Sequence, residues 1–318
     1  MPKRLADLTL TREIEPRLSR RRFIEAQNNR RVAAGGHGDF DSLHDRVASF
    51  VLKTSLRIAG LYGRGLANAL CPVVRRLRLE FDNLPPGLDG FRILHLSDFH
   101  IDGVDGLAEI VANQLASLPV DLCVLTGDYR FKTGGPCDGI YPRMRRILGA
   151  IQARHGMVGI LGNHDCADIA IELEKLDVRM LINEAIQVGP PDAGLWVIGV
   201  DDPHYYRCDD LAGAMKAAPP SGFKLLAAHS PEIFREAART GVDLYLAGHT
   251  HAGQIRLPLI GGLTNARCPR AYTRGHWRHG LMQGYTTAGV GCSLLPIRFG
   301  CPPEITVLDL AKSPLALL

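Results

Sequence analysis

In five places an apolar, strand-like run ends on a short polar cluster of Asp, His, Asn and Gly, and this recurrence constrains the fold more than any other feature. Phe91–Ser97 runs into Asp98-Phe99-His100, and Asp121–Thr126 into Gly127-Asp128. Met157–Leu161 leads to Gly162-Asn163-His164-Asp165, Phe223–Ala228 to His229, and Asp243–Ala247 to Gly248-His249-Thr250-His251. Helical periodicity lies between them, in 104–118 (Leu107, Ile110, Val111, Leu115, Leu118) and around Met144, Ile147, Leu148 and Ile151. Leu195–Val200 and Ile305–Leu310 are further strand candidates. The alternation predicts an α/β architecture. In such sheets ligands bind in the crevice at the carboxyl ends of the strands.

The residue types agree with one another. Carboxylate, imidazole and side-chain amide suit divalent ions such as Mn²⁺, Fe²⁺ or Zn²⁺. Residues i and i+2 of an extended segment point to one side, so Asp98 with His100, and His249 with His251, can each aim two ligands into one pocket. Glycines 127, 162 and 248 permit sharp reversals and close backbone approach. Singly, each cluster has an ordinary reading: a surface turn for Asp-x-His, a hydrogen-bonded core histidine for His229, turn composition for the rest. The ordered set of five is what points to a metal site.

Composition sets the outer bounds. The chain has 318 residues, 46% hydrophobic and 22% charged, which excludes a mainly disordered or fibrous protein. No run approaches the ~20 apolar residues of a membrane-spanning helix. None of the eight cysteines forms a C-x-x-C pair, so zinc knuckles and thioredoxin-like motifs are absent and reduced thiols in the cytoplasm are expected.

Charge is uneven. Residues 1–78 carry sixteen Lys/Arg against seven Asp/Glu in a chain of formal net charge +4, so the body is mildly acidic and the arm basic. Residues 1–45 read as a flexible basic segment with at most one short helix. Ser19-Arg20-Arg21-Arg22-Phe23-Ile24 resembles a twin-arginine export signal, but Gln27-Asn28-Asn29-Arg30-Arg31 follows in place of an apolar stretch, so export is not expected. Residues 46–78 hold seven Lys/Arg and no acid. On a helical wheel Arg46, Lys53, Arg57 and Arg64 form a narrow ridge beside Val47, Val51, Ile58, Leu61, Tyr62, Leu66 and Leu70. Two readings stay open: a helix lying on an anionic membrane surface, or one packed on the protein's own core.

Taken together, Asp98-x-His100, Gly127-Asp128, Gly162-Asn163-His164-Asp165, His229 and Gly248-His249-x-His251 resemble the signature of the calcineurin-like binuclear metallophosphoesterases, over about residues 91–310. Gly248–Gln254 and Arg298-Phe299-Gly300-Cys301-Pro302-Pro303-Glu304 resemble a bacterial branch of membrane-associated phosphodiesterases and UDP-2,3-diacylglucosamine hydrolases of lipid A synthesis. Members of that branch often begin with a hydrophobic or export-type segment, and this chain departs there with its long basic arm. The resemblance implies two divalent ions, one held by Asp98, His100, Asp128 and His251, the other by Asp128, Asn163, His229 and His249, with Asp128 shared. It leaves His164 as proton donor to the phosphoryl or leaving-group oxygen, with Asp165 orienting its imidazole. A further metal ligand or a supporting group is the other reading of His164.

The expected fold is thus two packed mixed β-sheets flanked by helices, a four-layer sandwich, over residues 79–318. A flexible segment (1–45) and a helical appendage (46–78) precede it. The expected reaction is hydrolysis of a phosphoester or pyrophosphate bond, with a lipid-linked substrate first and a soluble nucleotide or nucleic acid second. Nucleic acid ranks lower because the arm has few aromatics for stacking bases. A non-catalytic metal-binding scaffold is the rival from another class, ranked last because every ligand position is filled. Arg130 and Lys132, just after Asp128, are weaker candidates for a second phosphate contact. The expected location is the cytoplasm or the inner face of its membrane.

Overall fold

The computed structural model describes residues 14–33, 43–189, 194–257, 261–262 and 266–314. The Gly35–Gly38 stretch of the arm lies outside the described residues. Three helices open the described chain: α1 (Glu15–Ala33), α2 (Leu43–Ile58) and α3 (Tyr62–Ala69). Two six-stranded sheets follow, with a two-stranded ribbon of β10 (Arg256–Leu257) and β11 (Gly261–Gly262). The first has the order β1 (Val73–Phe81), β14 (Glu304–Lys312), β2 (Arg92–Leu96), β3 (Leu122–Leu125), β4 (Met157–Gly159), β5 (Val178–Met180). The second runs β12 (Gly275–His279), β13 (Met282–Thr286), β9 (Leu244–Ala247), β8 (Phe223–Ala227), β7 (Leu195–Gly199), β6 (Glu184–Val188). Both are mixed: β2–β5 and β13–β9–β8–β7 pair in parallel, while β14 on β2, β12 on β13 and β6 on β7 are antiparallel.

Alternation along the strands builds the layers. Ile93, Leu122, Val124, Val158, Leu308 and Leu310 of the first sheet meet Leu195, Val197, Phe223, Leu225, Leu244 and Leu246 of the second in one buried cluster. The alternate residues Leu94, Leu96, Cys123 and Leu125 face outward under α4 (Leu107–Leu115), α5 (Tyr141–Gly149) and α6 (Ala167–Glu174). On the far side Ile198, Leu226, Tyr245 and Ala247 lie under α7 (Leu211–Met215) and α8 (Phe234–Arg239). The expected four-layer α/β sandwich is the observed one.

The N-terminus differs from the expectation in two ways. Residues 73–78, expected to end a helical appendage, form most of β1, paired in parallel with β14 from Val73↔Glu304 to Phe81↔Lys312. Strand β1 is therefore part of the sheet, as an edge strand whose arginines look outward. The stretch expected to be flexible contains the 19-residue helix α1, which sets Leu18 and Arg21, with Ile14 just before it, into the body. Spacings of four and three put these residues on one helical face.

Candidate metal centre

All five polar clusters follow β2, β3, β4, β8 and β9, so the two parallel runs bring them to one end of the sandwich. Asp98, His100, Asp128, Asn163, His229, His249 and His251 are all buried there. Donor atoms of Asp98, His100 and His251 lie within 4.8 Å of one another, as do those of Asp128, His229 and His249. Asn163 Oδ1 joins the second group, 2.9 Å from His229 Nε2 and 2.8 Å from His249 Nδ1. Asp128 Oδ2 faces both groups, 3.2 Å from His229 Nε2 and 3.5 Å from His100 Nε2. One carboxylate between two ligand sets is the arrangement a two-ion site needs.

The backbone is strained where these side chains turn inward. Asp98, His100, Asp128, His249 and His251 have φ between 37° and 68°. That left-handed region is sparsely used by residues other than Gly and costs of order 1–3 kcal/mol per residue. Reciprocal bonds hold it: His249 N–H donates to the Asp98 carboxylate (3.0 Å), and His164 N–H to Asp128 Oδ1 (2.8 Å). Gly248 is required by space, since a Cβ there would fall 2.3 Å from Asp98 Oδ2 and 2.0 Å from Ser97 Oγ.

Outer hydrogen bonds set the tautomers. His100 Nδ1–H donates to the Arg130 carbonyl (2.8 Å), and His229 Nδ1–H to the Thr126 carbonyl (2.7 Å). Each ring therefore aims Nε2 inward. His100 Nε2 and His251 Nε2 face each other at 3.1 Å, an approach of two ring nitrogens that a shared cation satisfies. With four imidazoles, two carboxylates and an amide, the donor set fits divalent transition ions.

Burial pushes His100 down to about 3 and His249 and His251 well below the ordinary imidazole value, which leaves them neutral, the form that binds metal. Burial also disfavours charge on His229, but Asp128 outweighs it and raises that ring to about 10, while Asp128 is held well below the carboxylate range. Burial pushes Asp98 up to about 7. Metal uptake must therefore expel protons held near His229 and Asp98. Deprotonation favours binding, so affinity rises with pH. Mn²⁺ binding is expected to be at least about tenfold tighter at pH 8 than at pH 6, with proton release visible by calorimetry in buffers of different ionisation enthalpy. A pH-independent affinity contradicts this.

His164 stands at the same centre, with Nδ1–H donating to the Phe131 carbonyl (2.7 Å) and Nε2 at 3.9 Å from Asp128 Oδ2. Its side chain is 15% exposed, more open than its buried neighbours. Asp165 does not have the expected task of orienting this ring. Its carboxylate accepts from the N–H groups of Asp128, Tyr129 and Gly162, each at 2.8 Å, and so ties the Gly127 and Gly162 turns together. Arg130 is buried and puts three of its five N–H donors on the carbonyls of His164, Gly135 and Thr133, so it braces the loops around the centre. Lys132 is exposed.

Three neighbours join the centre from outside the five clusters. His204, bonded to Glu232 at 2.8 Å, lies against the His249 ring at 4.2 Å between centroids. Arg298, fully buried, brings Nη2 to 3.3 Å from His251 Nδ1 and also donates to the Ala288 carbonyl (2.8 Å). Arg21 reaches the Gly162–Asp165 turn from α1.

The sequence profile of the calcineurin-like phosphoesterases matches residues 91–253, just over half of the chain and all five clusters. The chain belongs to this family. As a calcineurin-like phosphoesterase it is a metal-dependent phosphoester hydrolase. Its relatives include the Bacillus subtilis metallophosphoesterase YkuE, 29% identical over 72% of this chain and 82% of YkuE. The Escherichia coli phosphodiesterase YaeI is 28% identical over 82% of this chain and 97% of its own. A Bos taurus transmembrane protein with a metallophosphoesterase domain is 29% identical over 83% of this chain, which spans 62% of that relative.

Proposed function

We propose that this phosphoesterase is a two-ion phosphodiesterase acting on substrates presented at an anionic membrane surface. The observation that carries the two-ion reading is the Asp128 carboxylate facing both ligand groups. Asp98, His100, Asp128 and His251 would hold one ion, and Asp128, Asn163, His229 and His249 the other. Two divalent ions held there would supply charge neutralisation for the phosphoryl group and a water acidic enough to attack it. His164 then gives a proton from Nε2 to the departing oxygen, its ring held by the Phe131 carbonyl.

The surface near the arm supports a membrane-borne substrate. Phe50, Val51 and Ile58 on α2 are 70%, 55% and 84% exposed, and Val47 and Leu61 are open beside them. Lys53 and Arg57 lie over the Tyr62 ring, 5.9 and 5.1 Å from its centre. Exposed apolar residues interleaved with cations suit a surface-lying helix. No described helix is long and apolar enough to cross a membrane.

A panel of an aryl phosphodiester, cyclic nucleotides and a UDP-linked acylated sugar, run with Mn²⁺, Fe²⁺ and Zn²⁺, tests the reading. Turnover of the acylated sugar above the soluble diesters supports a lipid-linked phosphate. Preference for soluble nucleotides contradicts it. Removing residues 1–78 is unsuitable as a membrane test, because it deletes most of β1 and the buried face of α1. The double change Phe50→Glu/Ile58→Glu is expected to weaken binding to anionic liposomes at least about tenfold, leaving hydrolysis of a soluble diester intact. Wild-type protein that ignores such liposomes at low salt overturns the membrane reading.

A further inference from the structure

One fully buried cation near the centre is unused by the chemistry above, and it comes from the opposite end of the sequence. Arg21 belongs to α1, some 140 residues before the turn it touches. Its Nη1 donates to the carbonyls of Gly162 (3.2 Å) and Asp165 (2.7 Å), the two ends of the turn that presents Asn163 and His164. Its Nε donates to Asp201 Oδ1 at 3.0 Å, Nη2 bonds the same oxygen, and the guanidinium carbon lies 4.0 Å over the Tyr206 ring. Asp165, so held, grips the Asp128 and Tyr129 N–H groups through its carboxylate. The chain of contacts therefore runs from Arg21 to the Gly162–Asp165 turn, and from that turn to the shared carboxylate.

Neighbours on α1 bind the same region. Arg22 reaches Asp168 (2.9 Å), Glu25 accepts from the Ala167 N–H (2.8 Å) at the start of α6, and Asn28 donates to the Tyr205 hydroxyl (2.7 Å). A leucine would fill the Arg21 site without the desolvation cost of a buried charge. It would leave the Gly162 and Asp165 carbonyls without the donors that an arginine's planar fork supplies together.

We infer that Arg21 is a positioning residue of the metal centre, and that α1 is a working part of the hydrolase rather than a tether. This rests on the assignment of Asn163 and His164 to the site. It also means that Arg21, within the stretch resembling an export signal, is buried in the folded protein.

The test uses full-length Arg21→Met, Arg21→Lys and Arg21→Ala, with Leu18→Ala as a control for lost packing on the same buried helix face. Mn²⁺ affinity by equilibrium dialysis, melting temperature, and kcat and KM for bis-p-nitrophenyl phosphate are measured well below each melting point. Arg21→Met is expected to lower kcat about 100-fold and weaken Mn²⁺ binding about tenfold, with KM within about threefold. Lysine should restore little, and added guanidinium should restore part of the Arg21→Ala loss. Leu18→Ala should melt lower yet keep kcat and Mn²⁺ affinity within about twofold of wild type. Arg21 variants that match Leu18→Ala in both quantities overturn the inference. Wild-type protein that binds Mn²⁺ without turning over this diester would instead defeat the proposed phosphodiesterase function, and the Mn²⁺ affinities would still judge Arg21.

Discussion

Replacing Asp128 with asparagine is expected to lower turnover by at least about 1,000-fold, the largest loss of any single ligand change. The substitution keeps shape and removes the charge that both ligand groups share. Asp128 Oδ2 stands within 3.5 Å of imidazole nitrogens from each group, while Oδ1 holds the His164 N–H. Other ligand changes weaken one group and leave the second intact. Elemental analysis of the Asp128→Asn protein should show both ions depleted. Near-normal metal content with near-normal turnover would remove Asp128 from the shared position.

His164→Ala is expected to have the opposite profile: kcat falls about 10²–10⁴-fold, and metal content stays near wild type. His164 Nδ1 is committed to the Phe131 carbonyl, and its ring is the most open at the centre, 15% exposed where the other histidines are buried. Its donor atom also lies within 4.8 Å of those of His100 and Asp128, so metal content is the measurement that separates proton donor from ligand. If this nitrogen protonates the departing oxygen, the loss shrinks for substrates with very good leaving groups. A plot of log kcat against leaving-group pKa, steeper for the variant than for wild type, measures this. Loss of both ions in His164→Ala would make His164 a ligand instead.

The strand ends were legible because apolar runs meet ligand-type residues within one or two positions, and β2, β3, β4, β8 and β9 all lie where those runs do. Other parts lacked such a signal for physical reasons. The α1 segment buries Ile14, Leu18 and Arg21, so a charged residue occupies a core position and the hydrophobic period is broken. Strand β1 reads as basic because only Leu79 and Phe81 of its nine residues are buried, and the arginines before them face out from an edge. A carboxylate–imidazole pair of Asp165 with His164 is what the family resemblance implies. The turn instead points its carboxylate at three backbone N–H groups. The His204–Glu232 pair and the approach of Arg298 to His251 join residues 28 and 47 positions apart, beyond any local pattern.

Whether one shared carboxylate organises two ions can be read from anomalous X-ray diffraction of Mn²⁺-loaded crystals. Two anomalous peaks roughly 3.5–4 Å apart are predicted. One should be bounded by Asp98, His100, Asp128 and His251, the other by Asp128, Asn163, His229 and His249. A single peak in fully active protein, or a pair of peaks that does not share Asp128, would contradict this arrangement.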